Sequence, residues 1–285
     1  MTLTAPSHLT ARERARRAAR GGASRSAPAT LLVPALIAVA FLILPLAGLL
    51  IRAPWGHLAA ALSGSDATQA LILSLWTASA STAISLVIGV PLAWVLARTT
   101  FPGQRLLRAL VTLPLVLPPV VGGVALLLAF GRTGFIGRYL DSWFGLTIPF
   151  TPLAVVLAET FVAMPFLIIT VEGALRSADQ GFEEAAATLG AKRMTVFSRV
   201  TVPMVAPSLG AGAVLCWARA LGEFGATITF AGSFPGQTET MPIAVYYALE
   251  TDPNAAIALS LVLLVVSVIV LVSLRDRWLR GGSVS

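Results

Sequence analysis

The sequence predicts an all-α integral membrane protein with six transmembrane helices. Three observations predict it: an apolar composition, six apolar runs of spanning length, and positive charge that alternates between them. Of 285 residues, 56% are hydrophobic and 12% charged, and the mean hydropathy is +0.85. A soluble domain of this length needs a polar shell that so few charged residues cannot supply. A bilayer solvates apolar faces directly.

Runs long enough to cross roughly 30 Å of hydrocarbon lie at 31–51, 70–97, 106–130, 152–171, 205–230 and 255–274. Each is read as a helix, because a segment isolated in lipid must satisfy its own backbone hydrogen bonds. The second is long enough to tilt or to emerge from the membrane. The first, Leu31 to Ile51, is too long for the core of a secretory signal and reads as an uncleaved span.

Positive charge sets the expected orientation. The N-terminal tail carries Arg12, Arg14, Arg16, Arg17, Arg20 and Arg25, and the second loop Arg98, Arg105 and Arg108. The fourth loop carries Arg176, Lys192, Arg193 and Arg199, and the C-terminus Arg275, Arg277 and Arg280. The alternate compartment holds only Arg52, Arg132 and Arg138, and Arg219 lies inside a span. Sixteen cations against three place both termini in the cytoplasm. The net charge of +7 is therefore a topology signal and no sign of a nucleic-acid partner. Residues 1–30 read as a disordered cytoplasmic tail able to touch anionic lipid, 31–278 as the transmembrane domain, and 279–285 as a second cytoplasmic tail. Cys216, the single cysteine, falls in an apolar run and reads as a packing residue.

The third span holds Pro114, Pro118, Pro119, Gly122 and Gly123. Each proline removes a backbone donor and crowds the preceding turn, so this helix must kink or open. Irregular backbone at membrane depth survives only against protein or a water-filled cavity. The segment is either a pore-lining hinge or a packing kink.

The fourth loop, 172–204, is the longest connection on the cytoplasmic side. It reads as two short helices broken at Gly190. Ser177 and Asp179 are candidate caps of the first, and Glu183 and Glu184 sit in its first turn, where the helix dipole favours acids. Gly190 is suited to the left-handed conformation that ends a helix, and Pro203 marks the return toward the next span. This pattern makes either a rigid knob for a partner's cleft or an amphipathic helix lying on lipid.

Glu184-Ala185-Ala186, three residues, Gly190, nine residues, then Val200-Thr201-Val202-Pro203 resembles the signature loop of permease subunits in binding-protein-dependent ABC importers. Val200 and Val202 stand where that family usually has Ile and Leu. The resemblance implies the type I importer permease fold, with a core over about 69–274. It also implies that Glu184, Ala185, Ala186, Gly190 and Pro203 belong to a loop that docks on a separate cytoplasmic ATPase. Arg219 to Thr227 with Phe230-Ala231-Gly232, and Leu113 to Pro119 with Gly122-Gly123, resemble the sulfate/molybdate group of these permeases. Ser233 to Gly236, Thr238 to Pro242, Thr251 to Pro253 and Ala255-Ala256 are similar to its molybdate branch, and the likeness runs from Leu31 to Arg277. This finer resemblance implies a molybdate permease in the cell membrane that pairs with a second copy of itself. It would bind two ATPase subunits, which hold the ATP and Mg, and receive cargo from an extracytoplasmic molybdate-binding protein. Sulfate and tungstate remain open as substrates.

Arg219 and Glu223 are four residues apart, so they share a helix face and can pair. Charges at this depth are costly unless paired or facing a cavity. They serve either an anion pathway, with Pro118, Pro119, Gly122 and Thr227, or a structural clamp. Two other classes of protein fit the residues less well. An intramembrane enzyme would need a nucleophile with a base, or a metal site, and His8 and His57 stand near no such set, so no catalytic or metal-ligating residue is assigned. An ion-coupled secondary carrier would need carboxylates in the spans, for which Glu159 and Glu223 are the candidates, but a carrier has no use for a docking knob. The chain holds no Gly-x-x-x-x-Gly-Lys-Ser/Thr, so no ATP site of that type is its own.

Overall fold

The computed structural model describes residues 29–56 and 64–280. Most of the expected N-terminal tail, with His8, therefore lies outside the described residues, as do His57 and residues 281–285. Among the described residues all regular structure is helical. The chain divides into two units at Ile51–Arg52. The first contains α1 (Ala29–Ile51), whose 23 residues, at 1.5 Å each, cover roughly the 30 Å of a hydrocarbon core.

The second unit contains α2 (Ser65–Arg98), α3 (Gln104–Val116), α4 (Pro119–Phe130), α5 (Gly137–Phe144), α6 (Pro152–Ser177), α7 (Gly181–Thr188), α8 (Arg193–Val196), α9 (Val202–Leu221), α10 (Gly225–Ala231), α11 (Met241–Thr251) and α12 (Pro253–Arg280). Its centre is α6, which packs against α2 and α9 through Leu167, Ile168, Val171, Ala93, Leu96, Cys216 and Ala220. Close approach depends on small residues, because lipid offers helices no hydrophobic drive to associate. The buried stripe of α2 runs through Ala70, Ser74, Thr77, Ala78, Ser81, Ser85, Gly89 and Ala93. A Cβ on Gly89 would stand 3.3 Å from Ile168.

Side-chain contacts sort this unit into two ends. At one, Arg176 at the close of α6 and Arg108 near the start of α3 both donate to the carbonyl of Leu96. At the other, Phe150 before α6 meets Phe234 edge-on, and Ser74 of α2 accepts a hydrogen bond from the Met241 amide. The long helices α2 and α6 link these two ends.

The third apolar run breaks harder than a kink. α3 and α4 meet at a bend of 118° around Leu117–Pro118. Among the described residues five helices are long and apolar enough to cross a membrane, and the number is six if this bent pair is one span. The fifth run breaks as well, which its hydropathy did not predict: α9 ends at Leu221 and α10 begins at Gly225. That run also starts earlier than expected. Helix is continuous from Arg193, through a π-helical turn at Phe197–Thr201, into α9. Pro203 therefore sits inside a rod and does not mark its start. It offers no N–H to the preceding turn and crowds a carbonyl there, and a widened turn accommodates both effects.

Candidate functional site

Two features at different depths carry the residues that the sequence singled out. The first is the knob between α6 and α9. Its helix α7 starts with the Asp179 carboxylate accepting the Gly181 amide at 2.9 Å. Ser177 does not cap it. That hydroxyl donates to the Gly173 carbonyl and belongs to the last turn of α6. At the other end Gly190 has φ of +85°, its amide donates to Ala187, and the Ala191 amide donates to Ala186. These are the two bonds of a left-handed helix stop, which glycine adopts without strain. Glu184 and Ala185 are exposed, Ala186 is half-buried, and Gly190 is exposed. Beside them Phe182, Leu189 and Met194 are 63%, 89% and 73% exposed. These exposed apolar side chains, carried on α7 and at the start of the helix that follows, have the form of a docking surface.

The neighbouring acids differ. Glu184 faces outward, whereas Glu183 accepts from Arg98 and from Thr201, each at 3.0 Å. Beneath the knob, Glu172 is held between Arg108 at 2.8 Å and Arg176 at 2.9 Å.

The second feature is the place where the interrupted third and fifth runs meet, at α4 and α10. Gly123 of α4 lies so close to α10 that a Cβ there would stand 2.6 Å from the Thr229 Cβ and 2.8 Å from the Ala226 carbonyl oxygen. A Cβ on Gly225 would meet Pro119 at 2.6 Å, and one on Gly122 would meet the Phe161 ring at 3.3 Å. Arg219 and Glu223 pair at 2.6 Å, with Glu223 almost fully buried and Arg219 partly open. They do not share one helix, since Glu223 lies beyond the end of α9. Its second oxygen accepts the Ala226 amide at 2.8 Å, so one carboxylate both holds the arginine and caps the fragment α10.

Arg219 opens onto a cavity of about 330 Å³ lined by Pro114, Leu115, Leu117, Pro119, Val162 and Phe166. Of the residues named for a pathway, Pro119 and Arg219 line this cavity, and Pro118 forms the bend beside it. Gly122, Glu223 and Thr227 are buried behind it in helix contacts. The structure thus joins the clamp and the cavity: Arg219 is paired and also faces open space. Glu159, deep in α6, accepts from Thr77 of α2 at 2.9 Å, a buried contact between helices. Among the described residues no His, Cys, Asp or Glu cluster could hold a metal ion.

Sequence reasoning missed Glu183 as a partner of Arg98, because the two are 85 positions apart. It missed the break after Leu221 as well, although Gly222 and Gly225 flanking an in-span glutamate were a usable signal.

Residues 89–281 match the protein family described as "binding-protein-dependent transport system inner membrane component". Over 250 residues the chain is 50% identical to the molybdenum transport system permease protein of Mycobacterium tuberculosis, covering 88% of this chain and 94% of that one. It is 36% identical over 245 residues to the sulfate transport system permease protein of Escherichia coli, covering 85% and 88%. Among solved structures it superposes on a chain of a bacterial ABC transporter involved in import of the polysaccharide alginate, with a TM-score of 0.73 at 17% identity, over 89% of this chain and 95% of that one. The last likeness shows the fold.

Proposed function

Because the chain belongs to the family of inner-membrane components of binding-protein-dependent transport systems, we propose that it is the subunit through which such an importer moves molybdate across the cell membrane. The observation that carries the substrate is the contrast between the two relatives: 50% identity to a molybdenum permease against 36% to a sulfate permease, over similar lengths. Tungstate, with its like charge and shape, is accepted by the same reading.

On this reading the second unit is the permease core, about 69–274, and loop 172–204 is the coupling loop. Two ATPase subunits holding ATP and Mg dock on α7 of two copies of the chain. Glu184, Ala185 and Ala186 face their cleft, Gly190 ends the docking helix, and Pro203 lies in the rod that follows. That end is cytoplasmic, as the excess of arginine there supports, and both termini lie on the same side. A molybdate-bearing extracytoplasmic protein delivers cargo at the end marked by Phe150 and Phe234. No step of ATP chemistry falls to this chain.

The route for the anion follows from the meeting of the interrupted third and fifth runs. Pro118 and Pro119 hold the bend open, Gly122 lets α4 approach Phe161, and Arg219 offers a positive charge to the cavity. Glu223 already neutralises much of that charge at 2.6 Å, so the arginine attracts an oxyanion without trapping it. Conduction needs such weak holding, since a tight site slows release. Thr227, buried on α10, supports this wall from behind.

Uptake of labelled molybdate into vesicles that contain this chain, its ATPase and its binding protein tests the substrate, with excess sulfate as competitor. Uptake that resists sulfate supports molybdate. Uptake abolished by sulfate moves the assignment to sulfate.

A further inference from the structure

We propose that Glu183, one position before the docking signature, is the positioning residue that latches the docking helix to two transmembrane elements, through Arg98 and Thr201. The proposal rests on the reading of α7 as the ATPase-docking helix.

The latch has one acceptor and two donors. Oε1 of Glu183 takes the Arg98 Nη2 bond and the Thr201 hydroxyl bond, both at 3.0 Å. Arg98 is the last residue of α2, and its side chain is 5% exposed, with Glu183 at 16%. Nε and Nη1 of Arg98 are buried and have no acceptor among the described residues. Glu183 is therefore the acid that makes burial of this guanidinium tolerable. Removing one partner of a buried pair leaves an uncompensated charge, which is far costlier than losing an exposed pair.

That cost is what makes the contact a transmitter. A docking helix tethered by exposed side chains could shift and leave the spans behind. α7 cannot leave Arg98 behind cheaply, so a displacement beyond hydrogen-bond range, roughly 3.2 Å, must carry the end of α2 with it. That end is tied in turn to α3 and α6, because the Leu96 carbonyl accepts from Gln104, Arg108 and Arg176. Through Thr201, which is buried in the π-helical turn, the same oxygen pulls on the foot of α9. α9 is a rod whose far end bears Arg219 on the cavity. One carboxylate oxygen thus links the docking helix to the wall of the proposed route, whereas Glu184 faces outward and is free for the partner.

The test reads coupling in the reconstituted complex of this chain, ATPase and binding protein. Labelled molybdate uptake and ATP hydrolysis are measured in the same vesicles. Glu183→Gln should leave hydrolysis within about twofold of the parent and lower molybdate moved per ATP about tenfold, in the range of ordinary coupling energies. The double exchange Arg98→Glu with Glu183→Arg should recover part of that ratio, which a merely structural role of Glu183 alone would not predict. Thr201→Val removes one donor only and should lower the ratio severalfold, and it carries the test if Glu183→Gln fails to assemble. An unchanged ratio in whichever of these variants assembles overturns the latch. A parent complex that shows no ATP-dependent uptake instead overturns the importer reading beneath it.

Discussion

Gly123→Ala is the sharpest perturbation of the crossing between α4 and α10. The added Cβ would lie 2.6 Å from the Thr229 Cβ and 2.8 Å from the Ala226 carbonyl oxygen, where carbon contacts settle near 3.5–4.0 Å. Thr229 is β-branched and bonded through its hydroxyl to the Gly225 carbonyl, and Ala226 presents backbone, so neither neighbour can swing away. α4 and α10 must separate by about 1 Å, and overpacking of this kind costs about 1–3 kcal/mol. Gly173→Ala on α6 is the matched control, because a Cβ there meets nothing within 4 Å and alanine gains up to about 1 kcal/mol of helix propensity. Thermal unfolding of the two purified variants in one detergent should separate their midpoints by roughly 2–12 °C, Gly123→Ala lower. A Gly123→Ala midpoint equal to or above that of Gly173→Ala refutes the close crossing.

Gly190→Ala meets no atom within 4 Å, so its cost is the left-handed backbone alone, about 1–2 kcal/mol. Gly190→Asn should cost less, and binding of the ATPase to detergent-solubilised variants ranks them. Gly190→Pro also removes the amide that bonds Ala187 and should uncouple the complex; retained uptake with intact ATPase binding counts against that. Ser74→Ala strands the buried Met241 amide at a cost of about 1–3 kcal/mol, and an unchanged unfolding midpoint contradicts it. Arg219→Ala leaves Glu223 buried without its cation and should lower molybdate uptake; normal assembly together with normal uptake removes both the clamp and the pathway role.

What the sequence made legible was local. Six apolar runs, the proline break near Pro118 and the glycine stop at Gly190 each follow from a few adjacent residues and their backbone preferences. The Arg219–Glu223 pair was legible from its spacing, though not its geometry, because the helix ends between the two. α5 and α11 escaped a search for spanning runs because 8 and 11 residues are too short to cross a bilayer. The partners of Arg98, Glu159 and Ser74 lie far along the chain, and only folding brings them together. Glu183 shows the limit well. In sequence it is one of two adjacent acids in a helix's first turn, and only its neighbours in space separate a latch from a surface charge.

On the proposed function, this chain moves its cargo only when a partner hydrolyses ATP. The most direct measurement is accumulation of labelled molybdate in vesicles holding the complete complex, with ATP and with a non-hydrolysable analogue in its place. Accumulation above the external concentration is expected with ATP and none with the analogue, while equal accumulation in both would contradict the claim.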